Sequence, residues 1–437
     1  MTERVTIIGG GLAGSEAAYQ AVKLGCKVTL IEMKPARFSP AHTMEGLAEL
    51  VCSNSLKSES LENASGVLKE EMRVCGSLII KAAEAARVPA GNALAVDRKA
   101  FSDYVTRALT DAGVEIARQE VADIPEARPL VIATGPLTSE PLAAAIGGLI
   151  SETNLYFYDA VAPIVYKESI DMDRAFMASR YGKGGDDYIN CPLDEDEYRR
   201  FVEALLSAEM VQPREFEDMK CFEGCMPIEA MARRGPDTLM FGPMKPVGLI
   251  DPRTGKRPYA AVQLRRENLD GTLYNIVGFQ TRMTFPEQRR VLGLIPGLER
   301  AEYARLGKLH RNSYIDSPRL LTQVQSLRSD GAVFFAGQIT GVEGYCESSA
   351  SGLLSGMNAC RRAMGQAPVC PPPTTVMGAL VRHISMERDT AFTPMNANFG
   401  LLPPLKGRDR RERLARRAIA DMRAWVEGGF KSLETSA

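Results

Sequence analysis

The thirty residues RVTIIGGGLAGSEAAYQAVKLGCKVTLIEM, from Arg4 to Met33, constrain this chain's fold more than any other stretch. An apolar strand from Val5 to Ile8 runs directly into Gly9, Gly10, Gly11, Leu12, Ala13 and Gly14, and the glycines at 9, 11 and 14 hold G-x-G-x-x-G spacing. The first glycine of such a loop permits the turn, the second lets a pyrophosphate approach the backbone, and the third lets the following helix settle on the strand. The helix start offers unpaired N–H groups to a phosphate. It ends near Gly25, and a second strand, Lys27 to Met33, brings Glu32 to where a carboxylate accepts from a ribose hydroxyl. A glycine triplet alone is a weak signal. With its strand, helix and acid in place it predicts a dinucleotide site in an α/β, Rossmann-like domain.

Two later segments repeat the strand-into-glycine pattern. Leu130 to Ala133 opens into Thr134, Gly135 and Pro136, and Val333 to Ala336 leads through Gly337, Gln338, Gly341 and Gly344 into a helix rich in Ser, Ala and Gly. Small residues there let a helix start approach a large planar cofactor. An N-terminal βαβ unit completed by a late strand-glycine-helix segment looks like the two-dinucleotide-fold flavoproteins, which bind FAD. Residues 1–150 and 325–437 are expected to form this cofactor domain, interrupted by an α+β insertion or substrate domain at 151–324. Within the insertion, NLYFYDAVAPIVY and TLYNIVGFQTRM read as strands and DEDEYRRFVEALLSAEM as an amphipathic helix with an acidic first turn. The prolines Pro371 to Pro373 mark a linker before the last segment.

Bulk composition excludes little. The 437 residues are 45% hydrophobic and 24% charged, with net charge −1, so global charge selects no partner. No removable leader and no membrane-length apolar run is legible, and a cytoplasmic location is expected. Three histidines and no C-x-x-C pair argue against a metal. Charge is concentrated locally between Lys406 and Arg417, where seven basic and two acidic residues lie on an expected helix. That face is either an RNA phosphate contact or a solvated face with pairs at i, i+3 and i+4. Trp425 nearby reads as a packing anchor.

Nine cysteines, an odd number on a long chain, fit reduced thiols better than a disulfide framework. Cys26, Cys75 and Cys360 fall in helix or strand patterns and look like core. Cys52, in LVCSNSLKS, and Cys221 and Cys225, in KCFEGCMPIEAMARRG, lie instead in loops with Gly, Pro, Asn and charged residues. Glu223 and Glu229 flank the second pair, and Arg233 and Arg234 supply charge that favours thiolate.

Those motifs, together with ALAVDR, YDAVAPIV, YINCPLDEDEY, FGPMKPVGL, FQTRMTFPEQ, HRNSYIDSP and FFAGQITGVEGYCESSASGL, run over essentially the whole chain. They resemble the TrmFO family of folate- and FAD-dependent tRNA (uracil-5-)-methyltransferases, with a wider similarity to the GidA family of tRNA-modifying flavoproteins. The resemblance implies 5-methyluridine formation at position 54 in the T-loop of tRNA, with 5,10-methylenetetrahydrofolate as carbon donor and FAD reduced by NADH or NADPH as hydride source. It puts the family's two functional cysteines on Cys225 and Cys52. Cys225 then attacks uracil C6, while Cys52 as thiolate, or Glu223, removes the C5 proton. Gln338 stands where generic FAD proteins carry Asp, as in both tRNA-modifying families.

Tyr188, Tyr345 and Glu347 are candidates to line the flavin and folate pocket, with either tyrosine a stacking face or simple packing. His310 is a candidate to orient substrate, and Arg282 and Lys245 to meet phosphate or the folate glutamate tail. Rival readings are the same chemistry on ribosomal RNA, a GidA-like wobble-uridine modification, or a flavin-containing RNA-binding factor that catalyses nothing.

Overall fold

The computed structural model describes residues 3–150, 155–160, 162–182, 185–211, 226–387, 392–405 and 409–430. A five-stranded sheet orders its strands Val333–Phe335, Leu130–Ile132, Arg4–Ile8, Lys27–Glu32 and Glu115–Arg118. Every neighbouring pair is parallel, with Ile8 in register with both Ile31 and Ile132, and Ile132 with Phe335. A parallel sheet covered on both faces needs apolar residues on both, and Val5, Ile7, Leu130, Val131 and Phe334 are fully buried. Because the carboxyl ends of three adjacent strands stop level, the glycine turns after Ile8, Ile132 and Phe335 gather at one end of the sheet. This is where open α/β sheets bind ligands.

The first helix, Leu12–Lys23, lies along the long late helix, Tyr345–Ala363. A methyl group on Gly352 would stand 2.1 Å from the Ala13 carbonyl oxygen, and one on Gly356 2.2 Å from that of Ala17. The small residues of the late helix therefore also serve backbone-close helix packing, beyond the approach to a cofactor expected of them. The same contact brings Cys26 and Cys360, 334 residues apart, into a disulfide. This corrects the expectation of reduced thiols only: both residues are core, as expected, and tertiary packing places them together.

The insertion builds a second, six-stranded antiparallel sheet in the order Phe176–Met177, Tyr188–Leu193, Ala260–Arg266, Leu273–Ile276, Ile164–Tyr166, Tyr303–Arg305. It has its own core around Phe201, Tyr274, Phe279 and Leu264. The helix Glu195–Ser207 starts with a full capping box, the Asp194 side chain accepting from the Glu197 N–H and the Glu197 side chain from the Asp194 N–H. An antiparallel ribbon of Leu155–Ala160 and Leu309–Tyr314 is made by the segments entering and leaving this sheet.

Pro371 and Pro372 are buried in the turn that starts the helix Val376–Ser385, so the proline run is a packed corner and not a free linker. The last helix, Arg410–Glu427, packs on the helix Ala64–Val74 through Leu414, Ala415, Ala418, Met422 and Trp425. Trp425 is 1% exposed and meets Phe430 edge-on, the packing anchor expected. No helix among the described residues is long and apolar enough to cross a membrane.

Candidate active site

A cleft opens at the carboxyl edge of the parallel sheet. Of the residues proposed from sequence to bind cofactor, Gly9, Gly11, Leu12, Ala13, Glu32, Thr134, Gly135, Gly337, Gln338 and Tyr345 line it. Gly9 adopts φ +99°, and its N–H donates to the Ile31 carbonyl at 2.8 Å. A methyl on Gly14 would stand 1.8 Å from the Gly9 carbonyl oxygen, whereas one on Gly11 would meet nothing within 4 Å. Gly14 thus sets the helix–strand approach, and Gly11 borders open space. Gly11 also begins the helix with no side-chain cap, leaving N–H groups of the first turn for a phosphate.

Glu32 accepts from the Gly10 N–H at 2.7 Å and from the Lys34 N–H at 2.9 Å. Its carboxylate therefore braces the glycine loop while facing the cleft. Gln338 donates its amide to Glu343 at 2.7 Å. Gly10 and Gly14 support the loop from behind the lining. Glu347 is buried away from the cleft, where it pairs with Lys57 at 3.1 Å and accepts from the Ala397 N–H. Long-range folding adds Lys34, His42 and Glu49 to the rim, which no local motif announces. Burial and neighbouring Lys34 hold His42 below its ordinary pKa.

Cys52 follows Val51, which lines the cleft, and is partly exposed. The Tyr345 hydroxyl oxygen lies 2.9 Å from the Cys52 sulfur and accepts from the backbone N–H of Cys52 at 2.9 Å and of Ser53 at 3.1 Å. Three arginines grip the same loop. Arg98 donates to the carbonyls of Leu50 and Val51, Arg305 to that of Val51, and Arg265 to Ser53 Oγ and Asn54 Oδ1. Arg98 is paired with buried Glu267 at 2.7 Å. Arg265 comes from the strand Ala260–Arg266, so the second sheet helps hold the cysteine loop. Arg98 closes the ALAVDR motif, but neither it nor Arg265 or Arg305 carries a local signal of a role at this loop.

Other sequence candidates fall elsewhere. Cys221, Glu223 and Cys225 lie outside the described residues, as does the side chain of His310. Tyr188 uses its hydroxyl to donate to the Ala90 carbonyl and does not line the cleft. Arg282 is 3.6 Å from buried Glu229, and the Lys245 carbonyl accepts from Arg180. Among the described residues no group of three His, Cys, Asp or Glu side chains could hold a metal ion.

Residues 4–367 match the family model described as glucose inhibited division protein A. The methylenetetrahydrofolate-tRNA-(uracil-5-)-methyltransferase TrmFO of Geobacter sulfurreducens is 59% identical over 432 residues, covering 98% of this chain and 99% of that protein. The chain belongs to the TrmFO family. The TrmFO of Heliobacterium modesticaldum is 56% identical over 428 residues, with 97% of this chain and 98% of that one covered. Among solved structures, Aquifex aeolicus GidA superposes with a TM-score of 0.72 at 17% identity, covering 99% of this chain and 74% of that one. The chain thus shares the GidA fold with little sequence in common. Its late Gly337-Gln338 turn is at the cleft edge where the fold's three glycine turns meet.

Proposed function

We propose that this chain methylates tRNA at uracil C5, forming 5-methyluridine at position 54 of the T-loop with 5,10-methylenetetrahydrofolate and FAD. The observation that carries the reading is the near-full-length identity to proteins named for this activity. The cleft adds support: its open Gly11 face, uncapped helix start and Glu32 fit the diphosphate and ribose of a dinucleotide. Held by the Gly9–Gly14 loop and Glu32, FAD reduced by NADH or NADPH would supply the hydride that brings a methylene to the methyl level.

The chain's own residues do the rest. Uracil C5 is a poor nucleophile, so the Cys225 thiolate adds to C6 and pushes the ring electrons into an enolate. C5 of that enolate bonds to the methylene carbon as one of that carbon's C–N bonds opens, and loss of the C5 proton to Cys52 or Glu223 expels the remaining nitrogen, leaving an exocyclic methylene on the ring. Hydride addition at that methylene returns an electron pair to the ring as an enolate, which expels the Cys225 thiolate from C6 and restores the C5–C6 double bond. Tyr345, between cleft and Cys52, positions that thiol.

The test is one incubation of purified protein with NADPH, methylenetetrahydrofolate and two tRNA transcripts, wild type and changed at T-loop position 54. Nucleoside mass spectrometry is expected to show 5-methyluridine in the first alone. Product in neither transcript, or modification at the wobble position, would overturn the reading. Cys225→Ala is expected to keep yellow flavin absorbance and lose methyl transfer; loss of both together would make Cys225 structural.

A further inference from the structure

We infer that Cys52 rests as a thiolate, the counter-ion of a buried arginine cluster formed by Arg98, Arg265 and Arg305, with the Tyr345 hydroxyl donating its hydrogen to the sulfur. The inference deepens the reading above, on which the use of this thiol in catalysis rests, but it concerns a resting charge that exists without substrate.

Hydrogen-bond accounting gives the direction of the Cys52–Tyr345 contact. A phenol oxygen has one hydrogen and two lone pairs. Two backbone N–H groups, of Cys52 and Ser53, point at the Tyr345 oxygen and occupy its acceptor side. Its hydrogen is then directed at the acceptor 2.9 Å away, the Cys52 sulfur. A sulfur that receives an O–H is favoured in its anionic form.

Charge accounting points the same way. Three guanidinium groups converge on the loop, with Glu267 as the carboxylate that acts on all three and Tyr188 and Tyr345 as neighbouring neutral phenols. Arg265 is 7% exposed and Glu267 3%. Nε and Nη2 of Arg305 and Nε of Arg98 are buried with no hydrogen-bond partner among the described residues. Cys52 interacts electrostatically with all three arginines. A buried surplus of positive charge is costly unless an anion answers it, and the thiolate is the anion at hand. Burial and neighbouring Arg98 push Arg305 down to about 10, as expected of a cation short of counter-charge. Arg98, Arg265 and Arg305 are positioning residues, fixing the loop carbonyls as well as the field.

The experiment follows iodoacetamide alkylation of Cys52 in the full-length protein between about pH 5.5 and 9.5, read by mass spectrometry of the Cys52 peptide. Reactivity of the wild-type thiol is expected to reach half-maximum at least about one pH unit below the free-cysteine value of about 8.5. Arg305→Gln should move the midpoint up by about one unit, Arg305→Lys should recover most of that shift, and Tyr345→Phe should also raise it. Flavin absorbance and thermal melting report whether each variant is folded. A wild-type midpoint at or above about 8.5 overturns the inference even if no variant folds, as does an unmoved midpoint in folded Arg305→Gln. Alkylation needs no methyl transfer, so failure here and failure of the tRNA assay are separable.

Discussion

At the scale of single residues, the glycine loop divides its work between fold and ligand, and the division is testable. Gly14 has the Gly9 carbonyl oxygen 1.8 Å from where a Cβ would stand, so Gly14→Ala forces helix from strand. It is expected to cost at least about 1–3 kcal/mol, seen as a lower melting temperature together with loss of flavin. Gly11 has open space at the same point and an extended backbone, φ −69° and ψ −169°, that any residue adopts. Gly11→Val should melt within about 1 kcal/mol of the flavin-free wild type yet purify colourless, because the added side chain enters the cleft. Equal destabilisation in both variants would show that the loop's role is structural throughout. The sequence spacing anticipated both glycines, since each role follows from local backbone geometry. It did not anticipate Arg98, Arg265 or Arg305, whose only signal is convergence in space.

At the scale of elements, a buried carboxylate on one helix reinforces the start of another that also has its own cap, the Thr375 side chain accepting from the Gly378 N–H. Glu71, on the helix Ala64–Val74, accepts from the N–H groups of Val376 at 2.7 Å and Met377 at 2.8 Å, at the start of the helix Val376–Ser385. Burial pushes its carboxyl from 4.5 up to about 8, against the pull of those two donors. Because this acid is harder to ionise folded than unfolded, the folded state binds the extra proton between the two values. Stability from Glu71 is therefore complete below about pH 4.5, falls as pH rises, and levels off above about 8. Glu71→Gln should flatten that decline, measured as melting temperature against pH; an unchanged profile would show that the carboxyl is ionised throughout. The C-terminal helix is a second element-scale case. Its apolar face docks on the helix Ala64–Val74, while Arg410, Arg411 and Arg416 stay exposed, Arg416 pairing with Glu412. The i, i+4 pair expected of a solvated face is present.

At the scale of the whole molecule, the cofactor sheet is assembled from both ends of the chain. Its edge strand Val333–Phe335 pairs with Leu130–Ile132, and the helix Tyr345–Ala363 covers Leu12–Lys23. A chain ending at residue 330 keeps the glycine loop but loses that strand, that helix and Tyr345. It is expected to bind no flavin and to show no cooperative melting transition of the parallel sheet, by absorbance and calorimetry. Flavin retention would mean that the first 330 residues suffice.

The βαβ unit, the late strand-glycine-helix segment and the insertion helix with its acidic start were all legible in the sequence, because periodicity, turn chemistry and capping act between residues close along the chain. The motifs likewise identified Cys52 as a functional candidate. Only the tertiary structure decided that Cys26 meets Cys360, that Gly352 and Gly356 serve helix contact, that Glu347 faces Lys57 and not the cleft, and that Cys52 lies among three arginines from distant elements. Electrostatic environment is a sum over neighbours in space, and residues 98, 265 and 305 become neighbours only when two sheets close on one loop.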